Sequence, residues 1–429
     1  MLNLFSKTKS WMVASLLATT VAIAAQDNTK GRPQKSYEQG HEVAKNQLMP
    51  AYNAPAAIDV RSSWDVYITG SFLYWQARED NLELGVVSNG LPLDAGGPFI
   101  PINLGPTITA TTTSGYVANA DFSYGPGFKV GIGANCDYDG WDAYAEYTWF
   151  HKTSNSMLDL TAPVMGSDDD ATCVCSPSTD FIFPTRILPA GLTLALDSEK
   201  AFKTVMQSWR VKMDFLDLSL ARSYYLGTKL SVRPFFGARG AWIRQVLKTE
   251  YTNQAVTVPE AINPPIATIN GFTVNPAYYN TQSGRIRSWG VGPRVGFESN
   301  WMLGYGFRLI GDASADVLYT RYDLRNKGLI HTRFLTSLTS TAVGTGIGRL
   351  VQNHIDMLRP HVDLEMGFGW GSYFDNSNWH VDFLATYGYQ VFWDQNMFRN
   401  FTQSETARSF LPNGNLYVHG MTFTARFDF

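Results

Sequence analysis

Apolar side chains alternate with polar or small ones along ten stretches of this chain. The last fourteen residues show the pattern clearly, because Tyr417, Met421, Phe423, Phe427 and Phe429 all fall on one set of alternate positions. A period of two predicts a β-strand with one apolar face. Each stretch has at least the roughly nine residues that a tilted membrane-crossing strand needs. The predicted strands span residues 64–77, 124–135, 141–151, 201–222, 228–246, 285–301, 306–320, 353–370, 379–393 and 415–429.

Aromatic rings mark both ends of the apolar faces. Trp141 and Trp149 bracket one predicted strand, and Trp379 and Trp393 bracket another. Rings at both ends of a span match the aromatic girdles of membrane β-barrels. A soluble core would place its bulkiest side chains in the middle of each strand. The pattern therefore favours strands that cross a membrane over an edge strand or sheet of a soluble sandwich.

The connections between these strands alternate strictly between long and short. Those after even-numbered strands are short turns, such as the one that contains Asp139 and Gly140, a favourable tight-turn pair. Short periplasmic turns and long extracellular loops are typical of outer-membrane barrels. We therefore expect an all-β fold: a transmembrane antiparallel β-barrel of about 10 strands, with both termini in the periplasm. The long connections span about 78–123, 152–200, 247–284, 321–352 and 394–414.

Two observations leave the strand number open. Pro234, Pro293 and Pro360 fall inside predicted strands, where each removes a ladder hydrogen bond. Segments 98–118, 190–197 and 329–340 also have the composition of strands, and including them raises the count to 12, 14 or 16.

The N-terminal residues predict export. Lys7 and Lys9 precede an apolar run that ends at an Ala-Ile-Ala sequence, 22–24, which is typical of a cleaved secretory signal peptide. The sequence thus divides into a signal peptide (1–25), a polar periplasmic linker (26–62) and a barrel (63–429). We expect the mature protein in the cell outer membrane.

Composition narrows the function. The chain has 429 residues, of which 14% are aromatic and 17% charged, and its net charge is −3 without a basic block. This argues against nucleic acid as a partner. Three cysteines are present, and Cys173-x-Cys175 lacks a second pair of metal ligands, so we expect neither a metal nor any other cofactor. Cys136 lies at the predicted periplasmic end, so we expect no disulfide from it to the other two.

Several runs resemble a known family. They are W-D-A-Y-A-E-Y-T-W-F-H (141–151), D-L-S-L-A-R-S-Y-Y (217–225) and L-S-V-R-P-F-F-G-A-R-G-A-W-I-R-Q (230–245). These runs, in this order, resemble the major-outer-membrane-protein-like family of Legionella and of chlamydia-related bacteria. The resemblance implies an abundant outer-membrane porin that often also contacts host cells. That family also cross-links its envelope through disulfides, for which this chain has few cysteines.

If the apolar faces meet lipid, the alternate positions face the lumen. The predicted pore-lining cations are Lys129, Arg210, Lys212, Arg233, Arg239, Arg294 and Arg308. The predicted pore-lining acids are Asp142, Glu146, Asp312, Asp316, Asp363, Glu365 and Asp382. Charges of both signs across a lumen favour weakly selective, passive diffusion of small hydrophilic solutes, as in a porin that carries ions. For ten strands the sequence does not decide between an open channel and a barrel filled by its own side chains.

The rival function is that of a surface adhesin or structural protein whose extracellular loops bind host cells. An enzyme is not expected. His361 and His380 lie near carboxylates on predicted lumen faces, but no nucleophilic serine motif accompanies them. Expected partners are outer-membrane lipids, small hydrophilic solutes, the host-cell surface in the adhesin reading, and further copies of the chain in a homo-oligomer.

Overall fold

The computed structural model describes most of the chain from Val66 to Phe429 and three single residues before it. The described residues are 56, 58, 60, 66–88, 115–136, 140–160, 181–184, 202–252, 268–269, 272–274, 279–331, 333–337, 340–343, 347–398, 400–401, 409–410 and 414–429. The predicted signal peptide lies outside these residues, as does nearly all of the predicted linker.

Ten long strands form the wall of one closed barrel. They are β1 (Val66–Glu79), β2 (Tyr124–Asn135), β3 (Trp141–Asp159), β4 (Thr204–Arg222), β5 (Leu230–Thr252), β6 (Tyr279–Gly304), β7 (Phe307–His331), β8 (Ile347–Phe374), β9 (Trp379–Phe392) and β10 (Leu416–Asp428). Each pairs antiparallel with its neighbours in the sequence, and β10 closes the ring against β1, where Tyr67 faces Asp428. The fold class and the ten predicted strands are confirmed. Among the described residues, no helix is long and apolar enough to span a membrane.

The shorter strands that the structure describes add no member to the ten-strand ring. Gly85–Ser88, Gly115–Ala118 and Phe181–Phe183 form one small sheet, and Thr268–Ile269, Phe272–Val274, Arg333–Ser337 and Ser340–Val343 form another. Two strand pairs are shorter still: Asn400–Phe401 with Ser409–Phe410, and Tyr224–Tyr225 against β5. The described parts of segments 98–118 and 329–340 therefore add no barrel strand beyond the ten. Residues 98–114 and 190–197 lie outside the described residues.

Aromatic side chains on the outer wall mark the two limits of the band that faces lipid. On β6, Trp289 and Trp301 are both about half exposed and face outward, with Val291, Val295 and Phe297 between them. Twelve residues at about 3.3 Å each, tilted by about 45°, span roughly the 25 Å apolar band of outer-membrane barrels. The wall therefore has a lipid-facing zone that matches the predicted girdles.

Strands β5 to β8 continue well beyond this band. β5 runs to Thr252, ten residues past Trp242, and β7 runs to His331, past Tyr319. At the other end, the turn from β6 to β7 is tight, with Tyr305 and Gly306 at positive φ. Because short turns are periplasmic in outer-membrane barrels, the long wall rises on the extracellular side.

The apolar face changes sides along several strands. On β4, Leu218 and Leu220 face outward, whereas Val211, Met213 and Phe215 face inward and are buried. In the membrane the outside must be apolar, while above the membrane the outer wall meets water and the apolar side chains fill the interior. The alternation therefore shifts phase where the strand leaves the lipid.

One of the three predicted ladder defects is present, at Pro293, whereas Pro234 and Pro360 fall within continuous strand registers. The pairing of β6 with β7 skips Gly292 and Pro293 and resumes at Arg294. A Cβ placed at Gly292 would lie 1.9 Å from the carbonyl oxygen of Val317, so the two backbones approach too closely for a side chain. Pro293 thus sits at an interruption of the ladder, as prolines in sheets generally do.

Candidate functional site in the barrel lumen

Arg239 is the centre of a buried charge cluster inside the membrane part of the barrel. It donates to both carboxylate oxygens of Asp217, at 2.6 and 2.7 Å, and to Asp316 at 3.1 Å. His361 Nδ1 lies 2.9 Å from Arg239 and 2.8 Å from Asp316. The side chain of Arg239 is only 4% exposed, and that of Asp316 is 0% exposed. One buried cluster thus joins side chains from four strands: β4, β5, β7 and β8.

Further ion pairs bridge the lumen beside this cluster. Arg294 on β6 reaches Asp217 at 3.0 Å and Ser314 at 2.9 Å. Lys129 on β2 lies 3.4 Å from Glu365 on β8, although three barrel strands separate β2 from β8. Side chains from well-separated strands therefore meet inside the barrel instead of lining an open passage.

The periplasmic part of the lumen is closed in the same way. Arg233 bonds both oxygens of Asp142, at 2.5 and 3.0 Å, and reaches Glu298 at 2.5 Å. Arg308 pairs with Asp382. Bidentate arginine–carboxylate pairs hold two planar groups in one orientation. These pairs therefore fix the lumen side chains.

Two further groups complete this end. Arg426 lies 2.6 Å from Asp428, and His380 Nδ1 lies 3.0 Å from the same carboxylate. Sequence reasoning did not place Arg426 or Asp428 in the lumen. Their alternation with Phe427 and Phe429 in the closing strand was the available signal.

An apolar plug fills the lumen above the charges. Phe215 on β4 and Phe392 on β9 stack with ring centroids 5.6 Å apart. Trp75 lies against Phe150, and Trp209 is also fully buried. β4 and β9 lie on opposite sides of a ten-strand ring, so their stacked rings cross its full width.

A second apolar cluster closes the extracellular mouth. Ile182 and Phe202 are both 0% exposed and pack near Tyr251 on β5. The hydroxyl of Tyr251 donates to the carbonyl oxygen of Leu84 at 2.7 Å. The small sheet formed by Gly85–Ser88, Gly115–Ala118 and Phe181–Phe183 therefore covers the extracellular mouth of the barrel.

Most of the predicted pore-lining side chains do lie inside the barrel. Those placed in the lumen are Lys129, Arg233, Arg239, Arg294, Arg308, Asp142, Glu146, Asp312, Asp316, Asp363, Glu365 and Asp382. Whether any of them lines a conducting path stays a prediction, because all lie in a packed interior.

Arg210 and Lys212 were placed wrongly. Both belong to the outward-facing positions of β4, whereas their neighbours Trp209, Val211 and Met213 are buried inside. The reason is that the apolar side chains of β4 face lipid within the membrane but face the interior above it. These two cations stand above the membrane, where the outer wall meets water.

The residues of the predicted metal and disulfide chemistry fall only partly within the described part of the chain. Within the described part of the chain, no group of three or more His, Cys, Asp or Glu could hold a metal ion. Cys136 is exposed at the periplasmic end. Cys173 and Cys175 lie outside the described residues, so their predicted separation from Cys136 remains a prediction.

Comparison with known proteins decides the family. A sequence model described as the Legionella pneumophila major outer membrane protein precursor matches residues 57–429. This chain belongs to that family. The earlier resemblance is thereby confirmed for a Legionella-type major outer membrane protein, and with it the outer membrane as the location. A search of curated proteins finds no match.

Solved barrels are similar to this family member only remotely. The outer membrane protease OmpT from Escherichia coli has 9% identity and a TM-score of 0.32, over 87% of this chain and 99% of that one. The CymD monoaromatic hydrocarbon channel has 8% identity and a TM-score of 0.26, over 85% and 88%. The Pseudomonas putida toluene transporter TodX has 9% identity and a TM-score of 0.24, over 85% and 89%. Likeness at this level transfers no activity to this chain.

Proposed function

We propose that this major outer membrane protein is a barrel closed to free diffusion at rest, which holds its extracellular segments at the cell surface as an adhesin or structural protein. The observation that carries the proposal is the Phe215–Phe392 stack, which crosses the lumen. Small barrels are filled by their own side chains, and only much larger ones leave an aqueous channel.

The unequal lengths of the connections at the two ends of the barrel support a role at the cell surface. Its connections at the periplasmic end are short, as at Tyr305 and at residues 375–378. Its connections at the other end are long, and the wall of β5–β8 rises beyond the lipid to carry them. Surface-exposed segments on a rigid scaffold are where binding residues commonly occur.

Conductance tests the closed lumen. Purified protein in a planar bilayer is expected to give no stable single-channel steps. The double substitution Phe215→Ala and Phe392→Ala removes the crossing rings but is expected to give no stable steps either, because the ion pairs of Arg239 and Arg233 still cross the lumen. Regular conductance steps from the unsubstituted protein at low voltage would overturn the proposal and would support an open porin instead.

Cell binding tests the surface role. Bacteria that display the protein are expected to attach to host cells, and replacing residues 253–278 with a short turn should reduce attachment. A matched change in the periplasmic turn 375–378 serves as the control. Equal attachment by both variants and by bacteria without the protein would overturn the adhesin role.

A gated porin is the second candidate. Its support is the mixture of lumen charges, together with buried carboxylate oxygens of Asp312, Asp363 and Asp382 that have no hydrogen-bond partner among the described residues. Such groups would favour small hydrophilic solutes with weak selectivity if the plug moved aside. Brief steps that occur only at high voltage would favour this reading.

Catalysis is not part of the proposal. His361 and Asp316 form a close pair, but both are sealed inside the lumen, with side chains 0% exposed. A peptide or phospholipid substrate could not reach them without displacing the plug. Absence of peptide or phospholipid turnover by the folded protein is the expected result.

A further inference from the structure

A patch of basic side chains covers one side of the outer wall just above the lipid-facing band. It lies on β4 to β7, and we call it the basic patch. Lys212, Arg244 and Arg287 occupy directly opposite positions on three successive strands, β4, β5 and β6. Arg285 and Arg325 are likewise opposite on β6 and β7. The basic patch consists of Lys212, Arg244, Lys248, Arg285, Arg287 and Lys327 with Arg325 beside them.

This arrangement is unfavourable unless an anion is bound. Directly opposite side chains in an antiparallel sheet stand about 4.5–5.5 Å apart at Cβ, where like charges repel. Among the described residues, no carboxylate forms an ion pair with Lys212, Arg244 or Arg287. Arg325 does pair, with Asp323 at 3.7 Å. The cluster therefore keeps several uncompensated positive charges on one face.

Three acids of this wall lie within or beside the basic patch and offset part of its charge. Asp214 accepts from Tyr147 at 3.0 Å and contacts His151 at 3.3 Å. Asp323 stands directly opposite Arg287 and pairs with Arg325, and Glu250 lies one step above Lys248 on β5. Seven cations against these three acids leave the patch positive. Most of the charge of the basic patch thus remains available to a ligand from outside.

The height of the basic patch on the barrel wall indicates which kind of ligand it binds. Trp242 and Trp289 face each other on β5 and β6, one step below Arg244 and Arg287 on the same outer face. Tryptophan marks the boundary between lipid and water. The cations therefore stand at headgroup height, directly above a surface that meets acyl chains.

The opposite side of the barrel has a different surface at this height. There the outward side chains include Tyr74, Tyr124, Tyr387 and His419, which contact one another, as in the 2.7 Å contact of the Tyr387 hydroxyl with His419 Nδ1. Arg78 stands on that side too. A basic surface on one side only is not explained by a general need for solubility.

We propose that the basic patch binds the phosphorylated headgroup of an outer-leaflet lipid, with the acyl chains packed below against the wall around Trp242 and Trp289. Arginine and lysine recognise phosphate through charge-assisted hydrogen bonds. Each basic side chain near an anionic membrane surface strengthens binding severalfold.

Lipid binding to the folded protein tests this site. The protein in detergent micelles is titrated with bisphosphorylated lipid A and with its dephosphorylated form, and binding is followed by tryptophan fluorescence and native mass spectrometry. The triple variant K212Q, R244Q and R287Q is expected to lose about a hundredfold in affinity for the phosphorylated lipid. The control variant R78Q, on the other side of the barrel, should bind as the parent does.

Three results would overturn the proposal. They are equal affinity for the phosphorylated and dephosphorylated lipids, unchanged affinity in the triple variant, and full competition by millimolar inorganic phosphate, which would indicate a free-anion site. Preferential binding of an acidic polysaccharide in place of the lipid would also overturn it. A heat-modifiability gel confirms that each variant is folded, so that a loss of binding reports on the patch itself.

Discussion

Phe215 and Phe392 stack with ring centroids 5.6 Å apart although their strands stand on opposite sides of the barrel. His361 also stacks on Phe392, at 4.0 Å between ring centroids. The apolar plug and the buried charge cluster are therefore in direct contact, and movement of one disturbs the other.

Removing the ring of Phe215 should destabilise the barrel. Phe215→Ala empties a fully buried site, and substitutions of this kind typically cost about 3–5 kcal/mol. Urea unfolding in lipid bicelles, followed by tryptophan fluorescence, measures the change. Phe368→Ala, at a ring that is 64% exposed on the outer wall, is the control and should cost clearly less. Equal losses would contradict the plug.

Removing the partner of Arg239 should also destabilise the barrel. Asp217→Ala leaves Arg239 with a single carboxylate contact, and breaking a buried pair costs about 3–5 kcal/mol. Asp356→Ala breaks the exposed pair with Arg321, whose side chains are 45% and 56% exposed, and should cost at most about 1 kcal/mol. The same unfolding assay ranks the two. A larger effect at Asp356 would show that the lumen charges are solvated.

A charge on the lipid-facing wall should impair assembly. Phe383 is 50% exposed on β9 within the membrane band, so Phe383→Arg should cost about 2–4 kcal/mol near the bilayer centre. Met157→Arg, on β3 above the band, is the control and should assemble normally, because Met157 faces water. The folded fraction on a heat-modifiability gel reports both. Assembly of both variants to the same extent would place the membrane band elsewhere.

Asp382→Asn, one residue away on the lumen face, is not a suitable control for Phe383→Arg. In the structure, Asp382 is buried and pairs with Arg308. Because the amide would leave Arg308 without its charged partner, Asp382→Asn is expected to be destabilising as well.

A methyl group at Gly292 should distort the barrel. Its Cβ would lie 1.9 Å from the Val317 carbonyl oxygen, so the β6–β7 backbones would have to move apart. Gly70→Ala meets no atom within 4 Å and is the matched strand control. Lower thermal resistance of the folded gel band for Gly292→Ala alone is the expected result. Comparable resistance of both variants would show that the interruption at Pro293 is pliable.

Orientation can be tested with single cysteines in a variant whose native cysteines are replaced by serine. Tyr305, 99% exposed in the β6–β7 turn, should be periplasmic, and Met157 should be extracellular. On intact cells, a membrane-impermeant thiol reagent should label Met157→Cys and not Tyr305→Cys. Permeabilising the outer membrane should make Tyr305→Cys reactive. The reverse pattern would invert the barrel.

Much of this fold could be predicted because lipid imposes a strict alternation. Within the membrane band every second side chain must be apolar, so β9 and β10 were identified almost to the residue. The lumen side chains of these spans followed automatically, since a strand has only two faces. Asp382, Asp363 and Arg239 occupy the inward-facing positions of their strands for this reason.

Above the membrane the same reasoning fails. The apolar set of β4 moves from the outside to the inside between Leu216 and Phe215, two adjacent apolar residues that break the alternation. Treating the apolar set at 209–215 as lipid-facing put Arg210 and Lys212 inside, although they occupy the same alternate positions as the outward-facing Leu218 and Leu220. An adjacent apolar pair in mid-strand was the available signal, and it marks where lipid gives way to water.

The filling of the lumen could not be read from the sequence. Lys129 and Glu365 are distant in the chain and meet only because the ring closes with a particular stagger. Alternation fixes which face a residue occupies and not which residues stand at the same height. The choice between channel and plug therefore needed the three-dimensional arrangement.

The strands that rise above the lipid set how far the protein's tips stand from the cell. From Trp242 to Thr252, ten residues of β5 at about 3.3 Å each, inclined by about 45°, lift the chain roughly 20 Å above the bilayer. That height lies among the sugars that coat a Gram-negative surface. Antibodies and phages approaching from outside would meet these tips before they reach the bilayer, and shortening the loops would not lower the rim that carries them.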